Sequence, residues 1–227
     1  MENNNSNIFL SPSKLNLFQE CPLCFWLQEA KGIHRPRGIF SSLPNGLDLL
    51  IKDYFDKYRA LNIVPPELEG KVRGKPMSDQ KLLDSWRSWK TGLRYIDEEL
   101  KAVLFGALDE CFTEGNDYIP VDYKTRGFDL KEDSTSYYQT QLDCYSFLLE
   151  KNGYHQPNFG YLIYYIPESV GENGLIKFKI EPYQLATQAE RGYEIFKSAV
   201  KLLNGPQPAS HSGCQFCSWG NDFANFE

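Results

Sequence analysis

The sequence predicts an α/β protein with an α-rich N-terminal part, and three observations carry that expectation. Apolar residues recur at helical spacing up to about residue 92. Near residue 93 the pattern changes to β-rich runs around a Gly115-Asn116 turn, followed by alternating helical and strand signals. Two Cys-x-x-Cys pairs, Cys21/Cys24 and Cys214/Cys217, stand close to opposite ends of the chain. We expect residues 1–9 to form a disordered tail and 10–227 a single domain: a helical part over 10–92, a core over 93–205 and a C-terminal cysteine knuckle over 206–227.

Ser11 and Pro12 are suited to cap and open a helix over roughly 12–20, with a cysteine knuckle and another helical turn or two after Pro22. Lys31 to Pro44 is rich in loop formers. Leu47, Leu50, Ile51, Tyr54, Phe55 and Tyr58 place a helix over Gly46–Leu61, and Asp79–Trp89 is a shorter amphipathic one. Leu100–Phe112 and Tyr118–Tyr123 form an expected hairpin. Thr135–Glu150 is helical and stops at Asn152-Gly153. Phe159–Ile166 and Ile176–Ile180 are strands about a Gly171–Gly174 turn, and Tyr183–Leu203 is a long helix ended by Asn204-Gly205-Pro206.

Aromatics make up 15% of the chain and hydrophobic residues 41%, which excludes a disordered protein. A net charge of -6 argues against holding nucleic acid by bulk positive charge, though not against a groove lined locally by basic residues. No signal peptide and no membrane-length apolar run is visible, so a cytoplasmic location is expected.

The chemistry starts at Asp109 and Asp122. A hairpin brings these two positions side by side, and Asp122 and Lys124, two apart on one strand, leave the same face. Taken alone, an Asp-x-Lys is more often a pair of exposed strand-end charges. Here Ile119-Pro120-Val121 and Ala102–Leu108 lead into the acids, so both lie where burial makes charge costly unless it is paired or holds a cation. A hard ion such as Mg²⁺ or Mn²⁺ suits two carboxylates and a backbone carbonyl. It would acidify a bound water and polarise a phosphoryl oxygen while Lys124 offsets developing negative charge.

Gly106-x-x-Asp109, Asp122-Tyr123-Lys124-Thr125 and Gln141-x-x-x-Tyr145, with the opening Leu10-Ser11-Pro12-Ser13-Lys14-Leu15 and Cys21-Pro22, resemble the RecB/AddB-like branch of the PD-(D/E)XK nucleases, which includes the CRISPR-adaptation exonucleases. The resemblance runs over about residues 10–217. It implies a restriction-endonuclease-like mixed central sheet flanked by helices. It also implies metal binding by Asp109, Asp122 and the carbonyl of Tyr123, with Lys124 as catalytic lysine. Gln141, rather than Gln139, would position Lys124 or the scissile phosphate, and Tyr145 would face DNA, with core packing as its other reading. The implied function is a Mg²⁺- or Mn²⁺-dependent DNA nuclease acting on single strands or ends, with repair or CRISPR-adaptation proteins as partners. A non-catalytic DNA-binding or assembly module on the same fold is the alternative. One departure favours that alternative: the helix motif of Gly, three residues and a metal-binding His aligns Gly46 but puts Leu50 at the His position. Asp48 and Asp53 are nearby but off-register, and both are expected on the surface.

Two knuckles of two thiolates can complete one four-sulfur site that clasps the N-terminal helix to the C-terminal tail. Relatives that the chain resembles hold an iron–sulfur cluster with one N-terminal and three C-terminal cysteines, so an iron–sulfur cluster is expected here, with Zn²⁺ as the alternative. Cys111 and Cys144 read as small core residues. Lys31, His34, Arg35, Arg37 and Arg126 either contact phosphates or are solvated, and Trp86, Trp89 and Trp219 are expected to pack.

Overall fold

The structure is a computed structural model, and it describes residues 8–36, 38, 42–130 and 135–224. Ile8–Leu10 already form a strand, β1, so described structure begins inside the segment expected to be a tail. Pro12–Glu20 is α1, with Pro12 at its first position. Pro22–Lys31 is α2, longer than the turn or two expected after Pro22. Ser42–Ala60 is α3, beginning inside the expected loop. Lys75–Pro76 is β2, and Gln80–Arg87 is α4, capped by Asp79, whose carboxylate accepts the Leu82 N–H at 2.9 Å. The later elements are β3 (Leu93–Asp97), β4 (Ala102–Gly106), β5 (Glu110–Glu114), β6 (Asp117–Thr125), α5 (Gln139–Lys151), β7 (Phe159–Val170), β8 (Ile176–Ala186), α6 (Ala189–Leu203) and α7 (Gln215–Ala224).

Two mixed sheets result, ordered β1-β4-β3 and β2-β5-β6-β7-β8. The expected strand over Leu100–Phe112 therefore breaks in two, and its halves join different sheets. The break is pinned by α4: the Leu108 N–H donates to the Trp86 carbonyl at 3.1 Å, and Arg87 Nε donates to the Asp109 carbonyl at 2.8 Å. β3 went unrecognised in the sequence. The hairpin itself forms between β5 and β6, turning at Gly115, whose φ of +59° suits a residue without a side chain. The predicted helix from Tyr183 starts at Ala189 instead. Tyr183 to Ala186 extend β8 and pair with Leu162 to Phe159, so cross-strand pairing overrides the local helical spacing.

β6 is the pivot of the architecture. It runs antiparallel to β5 and parallel to β7, with α5 between β6 and β7 in the chain. Its residues alternate between two cores. Val121 and Tyr123 join Ile51 and Phe55 of α3, Phe112 and Ile163 on one face. The other face meets the cluster of Leu15, Phe25, Leu104, Leu148 and Phe196 built by α1, α2, α5 and α6. Asp122 and Lys124 consequently point toward α5, as two-residue spacing requires. Among the described residues no helix is long and apolar enough to cross a membrane.

Helices α5 and α6 approach closely at Gly192, where an added Cβ would come within 2.8 Å of the Asp143 backbone. Gly192→Ala should therefore destabilise the fold by about 1–3 kcal/mol in urea unfolding. An unchanged midpoint would mean that the two helices are not tightly apposed there.

Candidate active site

The bend before β5 and the middle of β6 bring Asp109 and Asp122 together. Asp122 is fully buried, and Asp109 lies close enough to hydrogen-bond with its carboxyl. Asp109 sits at the bend between β4 and β5, not within a strand as the sequence suggested. Lys124 forms an ion pair with Asp122 Oδ2. Gln141 on α5 ties the group together: its Nε2 donates to Asp122 Oδ1 at 2.6 Å, and its Oε1 accepts from Lys124 Nζ at 3.2 Å. The Tyr145 ring is buried, and its hydroxyl donates to the Ala107 carbonyl at 2.8 Å while standing 2.8 Å from Gln141 Nε2. Tyr145 is thus a packed residue whose hydroxyl orders Gln141 and the Gly106–Asp109 segment. Gln139 turns away, to Asp143 and the Ala186 carbonyl.

The electrostatics are those of two adjacent carboxylates, each paired with an ammonium. Burial pushes the Asp122 carboxyl up most, Lys124 pulls it down, and Asp109 pushes it up again, leaving it near about 7. Asp122 Oδ2 is buried, and its partner among the described residues is the Lys124 ammonium. Two adjacent carboxylates, one of them fully buried, are a donor set that fits a hard divalent ion. Asp109 and Asp122 are the side chains that would hold it.

Three neighbours were not legible as site residues. Lys52 on α3 places Nζ 2.8 Å from Asp109 Oδ1 and 2.8 Å from Asp48 Oδ2. Asp48, expected on the surface, is therefore half-buried at the rim of the site, whereas Asp53 is exposed as expected. Leu50, at the missing His position, is 65% exposed and offers no ligand. The i,i+4 pair Asp48–Lys52 was the available signal. Glu110 is the third: fully buried on the opposite face of the hairpin, it accepts from Arg59 at 2.5 Å and from the Tyr123 hydroxyl at 2.9 Å. Only its place directly after Asp109 hinted at a role.

A cavity of about 700 Å³ opens on the Lys124 and Gln141 side of the group, walled also by Tyr138, Tyr137, Arg35 and Glu20. Lys124 lies over the Tyr138 ring at 4.3 Å. Arg35 donates to Glu20 at 2.6 Å and to Cys214 Sγ at 3.7 Å, so one guanidinium joins the cavity wall to the cysteines. His34 and Lys31 are exposed, and Arg37 lies outside the described residues. Trp86 packs against Tyr118 and Tyr154, whereas Trp89 and Trp219 are exposed, against expectation.

The four knuckle cysteines converge as expected. Their ligand atoms lie within 4.8 Å of one another, with close Sγ separations of 3.5, 3.6 and 3.7 Å. Cys21 is the N-cap of α2, and Cys214 immediately precedes α7, so each knuckle sits where helix N–H groups and the dipole favour thiolates. Burial opposes ionisation of Cys21, but the backbone N–H groups of Cys24 and His211 and the neighbouring sulfurs bring it down to about 6. Cys111 and Cys144 are buried core residues.

A carboxyl raised from 3.8 to about 7 in the folded chain costs stability where the unfolded chain is already ionised. Without divalent ions, stability should therefore fall as pH rises from about 4 through 7 on account of this group. The melting-temperature difference between Asp122→Asn and the parent should shift in favour of the variant between pH 4 and pH 8. A gap of equal size at both pH values would show that ionisation of Asp122 is not the cause.

Comparison with known proteins follows the same lines. The family model of the PD-(D/E)XK nuclease superfamily matches residues 51–221. No curated protein matches. Among solved structures, the crystal structure of SSO0001 aligns at 15% identity with a TM-score of 0.43, covering 92% of this chain and 81% of that one. The family match spans the bend, the β6 strand and the α5 glutamine just described, and the chain belongs to the PD-(D/E)XK nuclease superfamily.

Proposed function

We propose that this chain is a Mg²⁺- or Mn²⁺-dependent deoxyribonuclease of the RecB-like branch that hydrolyses phosphodiester bonds in single strands or at ends. The observation that carries the reading is the closed set of Asp109, Asp122, Lys124 and Gln141, in which buried Asp122 contacts each of the others. A divalent ion held by Asp109, Asp122 and the Tyr123 carbonyl would acidify a water and polarise a phosphoryl oxygen. Gln141 fixes Lys124 so that its ammonium faces the cavity and can offset charge gathering on a phosphate. Arg35 offers a phosphate contact, and Tyr137, 56% exposed on the cavity wall, offers a ring on which an unpaired base can stack. These features support a single strand over a rigid duplex. The intact lysine–glutamine–aspartate set favours cleavage over a fold kept for binding alone.

Incubation of a labelled single-stranded oligonucleotide with Mg²⁺ should give cleavage that Asp122→Ala and Lys124→Ala each reduce by about 10²–10⁴-fold. Cutting that survives both substitutions would sink the assignment of this centre.

For the cysteines we propose a single tetrahedral Zn²⁺ in place of the expected iron–sulfur cluster. Metal–sulfur bonds of about 2.3 Å put sulfurs about 3.8 Å apart around one tetrahedral ion; three of the pairs here stand at 3.5, 3.6 and 3.7 Å, and all four sulfurs lie within 4.8 Å. A four-iron cluster places each thiolate on a different iron and so needs the sulfurs more widely spread. Purified protein should be colourless with one zinc per chain by elemental analysis, and Cys214→Ser should lower both zinc content and melting temperature. A brown protein carrying iron and acid-labile sulfide would overturn the assignment.

A further inference from the structure

The Lys52 ammonium has no part in the chemistry given above, yet it is held firmly at the carboxylates. It bridges Asp48 Oδ2 and Asp109 Oδ1 at 2.8 Å each, and its side chain is only 19% exposed. A helix-surface pair with Asp48 alone would explain the first contact. It does not explain why the side chain leans inward to an acid of the catalytic set and gives up most of its hydration to do so.

We propose that Lys52 stands in for a second divalent ion, so that the centre works with one. The proposal rests on the nuclease reading of Asp109 and Asp122. Lys52 reaches Asp109 from α3, and Lys124 reaches Asp122 from β6, so each carboxylate has its own ammonium on its own side. Three carboxylates, those of Asp48, Asp109 and Asp122, meet the two ammoniums of Lys52 and Lys124 when all are ionised. One divalent ion then turns a local charge of −1 into +1, matched to one phosphodiester. A second ion would have to displace Lys52 from Asp109 and would raise the charge well beyond what the substrate carries. Asp48 acts as the clamp: it holds the lysine one helical turn along α3 and keeps it aimed at Asp109.

Lys52 is thus a charge-positioning residue, and ion counting reads its role directly. The full-length protein, with its cysteine site loaded, would be titrated with Mn²⁺ by calorimetry and by Mn²⁺ paramagnetic resonance without any substrate. The parent should bind one Mn²⁺ per chain at this centre. Lys52→Gln and Lys52→Ala, both checked for native circular dichroism, should bind the first ion roughly tenfold more tightly or more, because a competing cation is gone. They should also accept a second ion, and the Mn²⁺ dependence of their cleavage should steepen from first to second order. Lys52→Arg should keep the one-ion count. Two ions in the parent, or an unchanged affinity and count in both Lys52→Gln and Lys52→Ala, would overturn the proposal while leaving the nuclease reading intact. An absence of Mn²⁺ binding in the parent, or binding unaffected by Asp122→Ala, would mean that the underlying reading itself had failed.

Discussion

Asp122 is a carboxylate with no solvent exposure, in a strand whose flanking residues are apolar, and it lies against a second carboxylate. Burial of this kind is among the most expensive arrangements a fold can hold, and removing one member of a buried charge set typically costs several kcal/mol. The surrounding structure answers that one constraint. Lys124 emerges from the same strand two residues on, Gln141 is delivered by the helix that follows, and Lys52 leans in from α3. Even so, burial and the neighbouring Asp109 keep the Asp122 carboxyl harder to ionise than a free one. Function and local instability therefore share a cause.

The other half of the arrangement is the bend that carries Asp109. Its carbonyl is gripped by Arg87, which also pairs with Asp56 at 2.9 Å and approaches Glu110 at 3.4 Å. Glu110 in turn binds Arg59 and the hydroxyl of Tyr123, the residue between Asp122 and Lys124. One face of the hairpin thus bears the reactive groups, while the other bears a buried ion network that fixes the same strands. Gly106 belongs to this design: a Cβ there would come within 2.8 Å of Leu148 and 3.0 Å of the Tyr145 ring. Such packing fixes the positions of the two carboxylates, which is the preorganisation that the proposed chemistry would require.

Much of this was readable from residue order, because its determinants are local. The two-residue spacing of Asp122 and Lys124 and the four-residue spacing of Gln141 and Tyr145 fix shared faces whatever the tertiary setting. Paired cysteines announced their convergence in the same way. What escaped was set by partners distant in the chain. β3 depends on pairing with β4, the break at Ala107–Asp109 depends on α4, and the strand character of Tyr183–Ala186 depends on β7. Lys52 and Glu110 resembled ordinary charges because only three-dimensional contact separates them from the solvated majority. The iron–sulfur expectation came from resemblance, whereas the convergence of the four sulfurs followed from the cysteine spacing itself.

The cysteine clasp and the reactive centre are not independent, since Arg35 touches Cys214 and lines the cavity that ends on Lys124. Closing the chain ends therefore also shapes the approach to the carboxylates. The account nonetheless stands on whether an ion sits between Asp109 and Asp122. Anomalous diffraction from a crystal grown with Mn²⁺ tests that most directly. A peak within bonding distance of both carboxylates and the Tyr123 carbonyl is the predicted result. A map with no peak there at saturating Mn²⁺, with Asp122 still bound only to Lys124, Gln141 and Asp109, would contradict it.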